Sequence, residues 1–478
     1  MRLNLEEIVS AVNGTLVPGK VMPEGDLAAV STDSRTIGQG ALFVCVPGET
    51  FDGHDFAEKA VQAGAGAILA RHNPFADALP PVPVVLVENT VAALGRLANA
   101  WRHRLGAGTR VVGITGTAGK TTVKELLAQV LGGKGKTAKN PMNLNNQIGL
   151  PLSMLGAEGD EDFWVMEAGI SHPQDMDELG AILQPDIALI LNVGAGHTEG
   201  LGDRGTAHYK AQLLKYLAPQ GLAIISADYP ELVREARAIL PGPVFFSCTG
   251  RQVEYRSSYV SAAGNGKGLF RLWLDGRSMD VEAPFQGVYG AENIVAVAAV
   301  AHQLGLSAEE IAAGLATAVR PVQRFSCSRV GNWDVIDDTY NANPLSFARM
   351  LEAASQMALD KKFFACVLGE MGELGSLAHD EHVNLGKRIA EVGPDIVLWK
   401  GGFAEAVQEG MGRSADIFAV IENADDMLAA LRLLPAWESG GVVLFKGSRL
   451  NRLEKMVRAF VDSQKENGAA GTGDNDAV

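Results

Sequence analysis

The stretch of this 478-residue chain that most constrains its fold is RVVGITGTAGKTT, residues 110–122. A short apolar run rich in β-branched residues stops at a glycine, and an apolar-periodic segment then continues to about Leu131. The first pattern is that of a buried strand and the second that of a helix. A glycine-rich turn between strand and helix forms a phosphate cradle, because backbone N–H groups and the positive end of the helix dipole converge there. Gly116, Thr117, Gly119, Lys120, Thr121 and Thr122 are therefore candidate nucleotide-binding residues. Lys120 would reach the β- and γ-phosphates, and the Thr121 hydroxyl would hold Mg²⁺. The motif departs from the general phosphate-loop pattern at one position: Ile114 stands five residues before Gly119, and Gly113 lies one residue further out.

The pattern extends well beyond this loop. Apolar runs at 163–169 (FWVMEAG), 186–193 (DIALILNV) and 221–228 (GLAIISAD) alternate with helical stretches. That alternation implies a parallel sheet covered on both faces. Between Val253 and Val288 short alternating strands and turns suggest an antiparallel insertion, and a helix from Ala291 to Leu304 closes the unit. Upstream, 41–46 and 82–87 read as strands and Thr90 to Arg104 as a helix. Downstream, strands at 334–338, 363–369, 395–399, 416–420 and 442–447 suggest a doubly wound sheet. The expected fold class is α/β with three domains. These are a small α/β N-terminal domain (1–106), a central P-loop-type domain with a mainly parallel sheet (107–320) and a C-terminal Rossmann-like α/β domain (321–462). The polar, acidic segment 463–478 is expected to be a disordered tail.

Composition removes several classes. With 41 Lys+Arg against 56 Asp+Glu the formal charge is −15, which argues against a nucleic-acid partner. Cys45, Cys248, Cys327 and Cys366 are widely spaced and form no CxxC pair, so neither a zinc site nor a disulfide framework is expected. The N-terminus has no cationic region leading into an apolar run, and no stretch of about 18 apolar residues occurs. A cytoplasmic protein with no membrane insertion is expected.

Further candidates lie at the ends of the apolar runs. Glu167 ends FWVME, well placed for Mg²⁺, and His197 follows DIALILNV. Lys210 comes a loop and a helix start later, with Lys215 nearby. Asn143, Asn145 and Asn146 cluster in NLNNQIGLP, where uncharged amides can both donate and accept. In the third unit DDTYNANP, residues 337–344, ends a strand before a helix, and Lys446 and Arg449 in KGSR offer two cations to an anionic substrate.

In this order these motifs resemble the Mur ligases, the ATP-dependent amide-forming enzymes of bacterial peptidoglycan synthesis, from about Ser31 to Arg458. GTAGKTT alone is also similar to folylpolyglutamate synthetase, which lacks an STDSR-type N-terminal domain. The narrower set NLNNQIGLP, DDTYNANP, VLGEMGELG and FKGSR is similar to the branch that adds D-alanyl-D-alanine to UDP-N-acetylmuramoyl-tripeptide.

The resemblance implies those two substrates, ATP, two Mg²⁺ sites, an acyl-phosphate intermediate and a monomer. It places Ser31, Asp33, Ser34 and Arg35 at the nucleotide-sugar site, together with a match in Asp52–Phe56. It assigns Thr121, Glu167, His197 and a carbamylated Lys210 to metal, and Asn293, Arg324 and Asp338 to the nucleotide. Asn341 and Asn343 fall near ATP and the reacting carboxylate, and Glu292 stands where the family carries a histidine. Two alternatives stay open. A Mur ligase adding lysine or diaminopimelate as third residue would carry a DNPR-type motif, whereas residues 366–382 read CVLGEMGELGSLAHDEH. A nucleotide-binding protein that keeps the fold without ligation would have no use for Glu167, His197 and Lys210.

Overall fold

A computed structural model describes residues 3–76, 78–104, 108–194, 201, 204–264, 266–359 and 363–470, with side chains through 465. Three main sheets follow one another along the chain. The first has five strands in the order Thr15–Val17, Val84–Leu86, Ala65–Ala70, Ala41–Val44, Val30–Ser31, parallel except for its first pair. The helix Thr90–Arg104, with the bounds its sequence pattern suggests, leads out of this region.

The central sheet has nine strands. Thr137–Lys139, Phe163–Glu167, Arg110–Thr115, Ile187–Ile190, Leu222–Ser226, Val244–Ser247 and Tyr255–Gly264 run parallel. An antiparallel meander through Lys267–Leu274 and Arg277–Ala283 extends the edge, where the insertion was expected. Side-chain alternation explains why these strands read as continuous apolar runs. Trp164 and Met166 enter one core, shared with Leu94, Trp101 and Leu179, while Phe163 and Val165 enter the opposite core under the helix Gly287–Gln303.

The third sheet has the order Ser326–Val330, Trp333–Asp338, Gly441–Lys446, Phe364–Gly369, Ile396–Lys400, Phe418–Val420. Only its first pair is antiparallel. Separate cores fill its two faces.

Register decides what lies at the sheet edges. Glu167 pairs with Ile114 and Ile190 with Thr115, so the phosphate loop, Glu167 and Asn192 emerge at one carboxyl edge. In the third sheet Asp338 pairs with Lys446 at the corresponding edge.

The structure corrects the expected tail. The final helix is Glu454–Ala470, so order continues past residue 462. Ser463 and Gln464 are buried, and Arg432 Nη2 donates to Ser463 Oγ at 3.0 Å, which anchors the helix on the third unit. The run at 416–420 is also shorter as a strand than expected, because Gly412–Ile417 forms a 3₁₀ turn before Phe418. Three short strands, Thr137–Lys139, Val244–Ser247 and Ser326–Val330, add to the sheets where periodicity is weak, the first and last of them at sheet edges. Among the described residues no helix is long and apolar enough to cross a membrane.

Candidate active site

The helix Lys120–Gly132 begins at Gly119, whose φ of 83° is open to glycine at little cost. A Cβ there would also come within 2.9 Å of Asn293 Oδ1. Asn192, just beyond the strand Ile187–Ile190, holds the loop in shape: its Oδ1 accepts from Thr117 N at 3.1 Å and Ala118 N at 2.8 Å. Lys120 Nζ folds back and donates to Gly116 O at 2.8 Å. Burial pushes the Lys120 ammonium below its usual pKa, with Glu167 pulling the other way and Arg324 adding to the depression.

Glu167 is buried and both carboxylate oxygens are engaged. Thr121 Oγ1 donates to Oε2 at 2.9 Å and Asn145 Nδ2 to Oε1 at 2.7 Å. Asn140 clamps the Glu167 backbone, accepting from its N–H at 2.6 Å and donating to its C=O at 3.1 Å. Gly169 is needed beside this clamp, since a Cβ there would lie 2.7 Å from Asn145 Nδ2. Asn143 and Asn146 also line the cleft, and Asn146 Oδ1 additionally accepts from Gly149 N at 2.8 Å.

The opposite wall comes from the third unit. Arg324 Nη2 donates to Thr121 Oγ1 at 3.3 Å, and its guanidinium lies 3.9 Å from the centre of the Tyr340 ring. Asp338 Oδ1 accepts from Phe325 N at 3.0 Å, and Oδ2 accepts from the fully buried Lys446 Nζ. Burial lowers the Lys446 pKa, and Asp338 opposes that shift. Lys446 Nζ also donates to Asn341 O at 3.3 Å. Asn343 caps the helix Pro344–Ala358 and sends its Nδ2 to Thr117 O at 3.2 Å. Lys120, Thr121, Glu167, Asn143, Asn145, Asn146, Arg324, Asp338, Asn341 and Lys446 therefore share one cleft of about 570 Å³.

Other expected residues lie elsewhere. Gly116, Thr122 and Asn293 sit outside the cleft lining; Thr122 Oγ1 accepts from Tyr289 OH at 3.4 Å, and Asn293 packs on Gly119. Arg449 is exposed, 5.9 Å from the Tyr340 ring centre. Ser31, Asp33, Ser34 and Arg35 lie at the edge of the first sheet, away from the cleft lining. There Arg35 grips Asp33 at 2.9 and 2.7 Å, with the arginine side chain 86% exposed. The Arg35 guanidinium and backbone N–H hold the Asp33 carboxyl down at about 2. His54 stacks on His72 and pairs with Asp52.

Among the described residues no group of three or more His, Cys, Asp or Glu could hold a metal ion. The hydroxyl and carboxylate of Thr121 and Glu167 nevertheless fit one Mg²⁺, a hard cation that takes few protein oxygens and completes its shell with waters and phosphate. His197 lies outside the described residues. Lys210 is 1% exposed on the helix Gly205–Ala211, whereas Lys215 is exposed. Burial first, and the Lys120 charge second, pull the Lys210 pKa well below its ordinary value.

Three residues of this site escape sequence reasoning. Asn192 and Asn140 act through neighbours far away in the chain. Lys124, fully buried, donates to Asn140 O at 2.7 Å and Met142 O at 2.8 Å, tying the loop helix to the asparagine segment. Its signal was a cation on the apolar stripe of that helix, beside Val123 and Leu127.

The sequence matches the Mur ligase middle domain over residues 114–301, the Mur ligase glutamate ligase domain over 323–449 and the Mur ligase family catalytic domain over 26–102. The UDP-N-acetylmuramoyl-tripeptide–D-alanyl-D-alanine ligase of Escherichia coli is 32% identical over 469 residues, covering 98% of this chain and 99% of the relative. The Bacillus subtilis ligase of the same description is 31% identical, covering 97% and 99%. A crystal structure of MurF from Acinetobacter baumannii superposes with a TM-score of 0.87 at 29% identity, covering 97% of this chain and 99% of that one. A Thermotoga maritima MurF ligase in complex with ADP gives a TM-score of 0.81 at 28% identity, covering 92% and 99%. By its sequence and its fold, this chain belongs to the Mur ligase family.

Proposed function

We propose that this chain joins D-alanyl-D-alanine to UDP-N-acetylmuramoyl-tripeptide at the expense of ATP, yielding the UDP-N-acetylmuramoyl-pentapeptide, ADP and phosphate for peptidoglycan synthesis. One observation carries the mechanism: the carboxyl edges of two α/β sheets face each other across one cleft, with Lys120, Thr121 and Glu167 on one wall and Arg324, Asp338 and Lys446 on the other.

A carboxylate does not couple to an amine unaided, because hydroxide is a poor leaving group. Transfer of the γ-phosphoryl group onto the tripeptide carboxylate makes an acyl phosphate; the dipeptide amine then attacks its carbonyl carbon and expels phosphate. Two anions must first meet. Lys120 and the N-terminus of its helix offset that repulsion and stabilise the transferring phosphoryl group. Thr121 and Glu167 would hold Mg²⁺, which when bound neutralises phosphate charge. A second Mg²⁺ would rest on His197 and on Lys210 carried as a carbamate. A neutral amine is the form that reacts with carbon dioxide, and burial shifts Lys210 toward that form. Asp338 would contact the ribose, Asn341 the reacting carboxylate, and Asn143, Asn145, Asn146, Lys446 and Arg449 the peptide substrates. Residues 1–106, with Ser31, Asp33, Ser34 and Arg35, would hold the nucleotide sugar, 107–320 ATP, and 321–462 the face that closes the cleft.

The test is phosphate release with ATP and UDP-N-acetylmuramoyl-tripeptide, carrying lysine or diaminopimelate, with and without D-alanyl-D-alanine. Dipeptide-dependent release is expected. Release that ignores the dipeptide with either tripeptide would sink this function.

A further inference from the structure

The helix Pro344–Ala358 touches the phosphate loop twice. Its capping residue Asn343 donates directly to Thr117 O. Two turns later Arg349 reaches the loop indirectly, through Glu292. Glu292 is 1% exposed on the helix Gly287–Gln303, and its carboxylate meets Arg349 at both oxygens, Nη1 to Oε2 at 2.7 Å and Nη2 to Oε1 at 2.8 Å. Tyr229 OH donates to Oε1 at 3.1 Å, and Asn192 Nδ2 to Oε2 at 3.0 Å.

Asn192 is the residue that shapes the loop. Its Oδ1 faces Thr117 N and Ala118 N, while its Nδ2 serves Ala118 O at 3.0 Å as well as Glu292. The amide is thus held between the loop and the Glu292 carboxylate.

We infer that Arg349 and Glu292 are positioning residues for the phosphate loop, so that docking of the C-terminal unit sets the loop geometry used to bind and orient ATP. The inference rests on the ATP-dependent ligase function proposed above. Its physical basis is the charge of Glu292. A buried carboxylate is tolerated when a cation and hydrogen bonds surround it, and removing the cation leaves an uncompensated charge. Here the cation comes from the other unit. When Arg349 withdraws, Glu292 must draw harder on Tyr229 and Asn192, and Asn192 turns away from the loop amides. A histidine at 292, the residue expected from the resemblance, could sit neutral and would not require a cation. Glu292 therefore makes loop geometry in this chain conditional on Arg349.

The experiment is steady-state kinetics for ATP in the full-length protein with Arg349→Met, Glu292→Gln, the double variant and Arg349→Lys, with melting curves alongside. Displacing catalytic groups by about 1 Å can cost about 10²-fold, so each single variant should lower kcat/KM for ATP about 10–100-fold. KM for the dipeptide should move less. The double variant should be no worse than the poorer single, because both break one chain of contacts. Arg349→Lys keeps the charge but not the two-point grip and should fall between; it also carries the test if Arg349→Met fails to fold. Singles within about twofold of the parent, or effects that multiply in the double, would overturn the inference. So would lowered melting temperatures with unchanged ATP kinetics, which indicate a structural role alone. If these fail while the parent shows dipeptide-dependent phosphate release, the ligase function stands and only the loop coupling falls.

Discussion

The phosphate-loop wall and the Ser31–Arg35 loop both hold charged residues, yet they are built in opposite ways. Around the cleft, Glu167, Lys124 and Lys446 are buried and engaged by groups from other elements of the chain, while half-buried Lys120 is held by Gly116 O of its own loop. At the N-terminal loop, Arg35 is exposed and Asp33 half-buried, and the two side chains pair with each other, two residues apart. A buried, over-determined site is preorganised, and losing one member leaves others unpaired. An exposed pair is worth little and exchanges readily for a stronger anion such as a phosphate. Under the proposed function the difference amounts to a division of labour: chemistry would take place in the preorganised cleft, and the nucleotide sugar would be captured on a surface that rearranges cheaply.

This contrast can be broken by mutation. The largest effect is expected for Lys120→Ala. Loss of a preorganised charge donor costs about 10²–10³-fold in kcat, read as phosphate release at saturating substrates; a loss below about tenfold would place the chemistry elsewhere. Lys210→Ala should follow, with collapse of activity and partial recovery in a short-chain carboxylate such as acetate. The sign of its pH dependence is set by the lowered pKa. Below that pKa the amine is protonated and cannot hold a carbamate, so activity should fall as pH falls and bicarbonate should help only above it. An unaffected Lys210 variant would remove this residue from the metal site. The smallest effect belongs to Arg35→Ala. KM for the nucleotide-sugar peptide should rise several-fold with kcat held, and stability should change by no more than about 0.5 kcal/mol. A fall in kcat as large as that of Lys120→Ala would erase the distinction between the two regions.

How much of this was legible beforehand depended on range. The strand–loop–helix around Gly116–Lys120 and the helix Thr90–Arg104 could be read because their signals are local, a glycine turn and a 3.6-residue period. The cleft membership of Glu167, Asp338 and Lys446 followed from strand ends, since parallel strands deliver their carboxyl ends to one edge. Asn192, Asn140 and Arg349 could not be read that way. Their partners lie far along the chain, 74 residues between Asn192 and Ala118 and 57 between Arg349 and Glu292. Lys124 gave a faint sign as a lysine among apolar neighbours, and its purpose emerges only when the carbonyls of Asn140 and Met142 arrive above it. The last helix was missed for the opposite reason. Its polar composition suggests a solvated tail, and only packing of Ser463 and Gln464 on the third unit reveals order.

The central claim is that one cleft, walled by two sheets, converts ATP and a peptide carboxylate into an amide. The most direct measurement is the mass of the nucleotide-sugar product when ATP, UDP-N-acetylmuramoyl-tripeptide and D-alanyl-D-alanine are combined with the full-length protein. The expected result is a product heavier than the tripeptide substrate by the dipeptide less one water, formed one for one with ADP. Release of ADP with the tripeptide mass unchanged would contradict the claim.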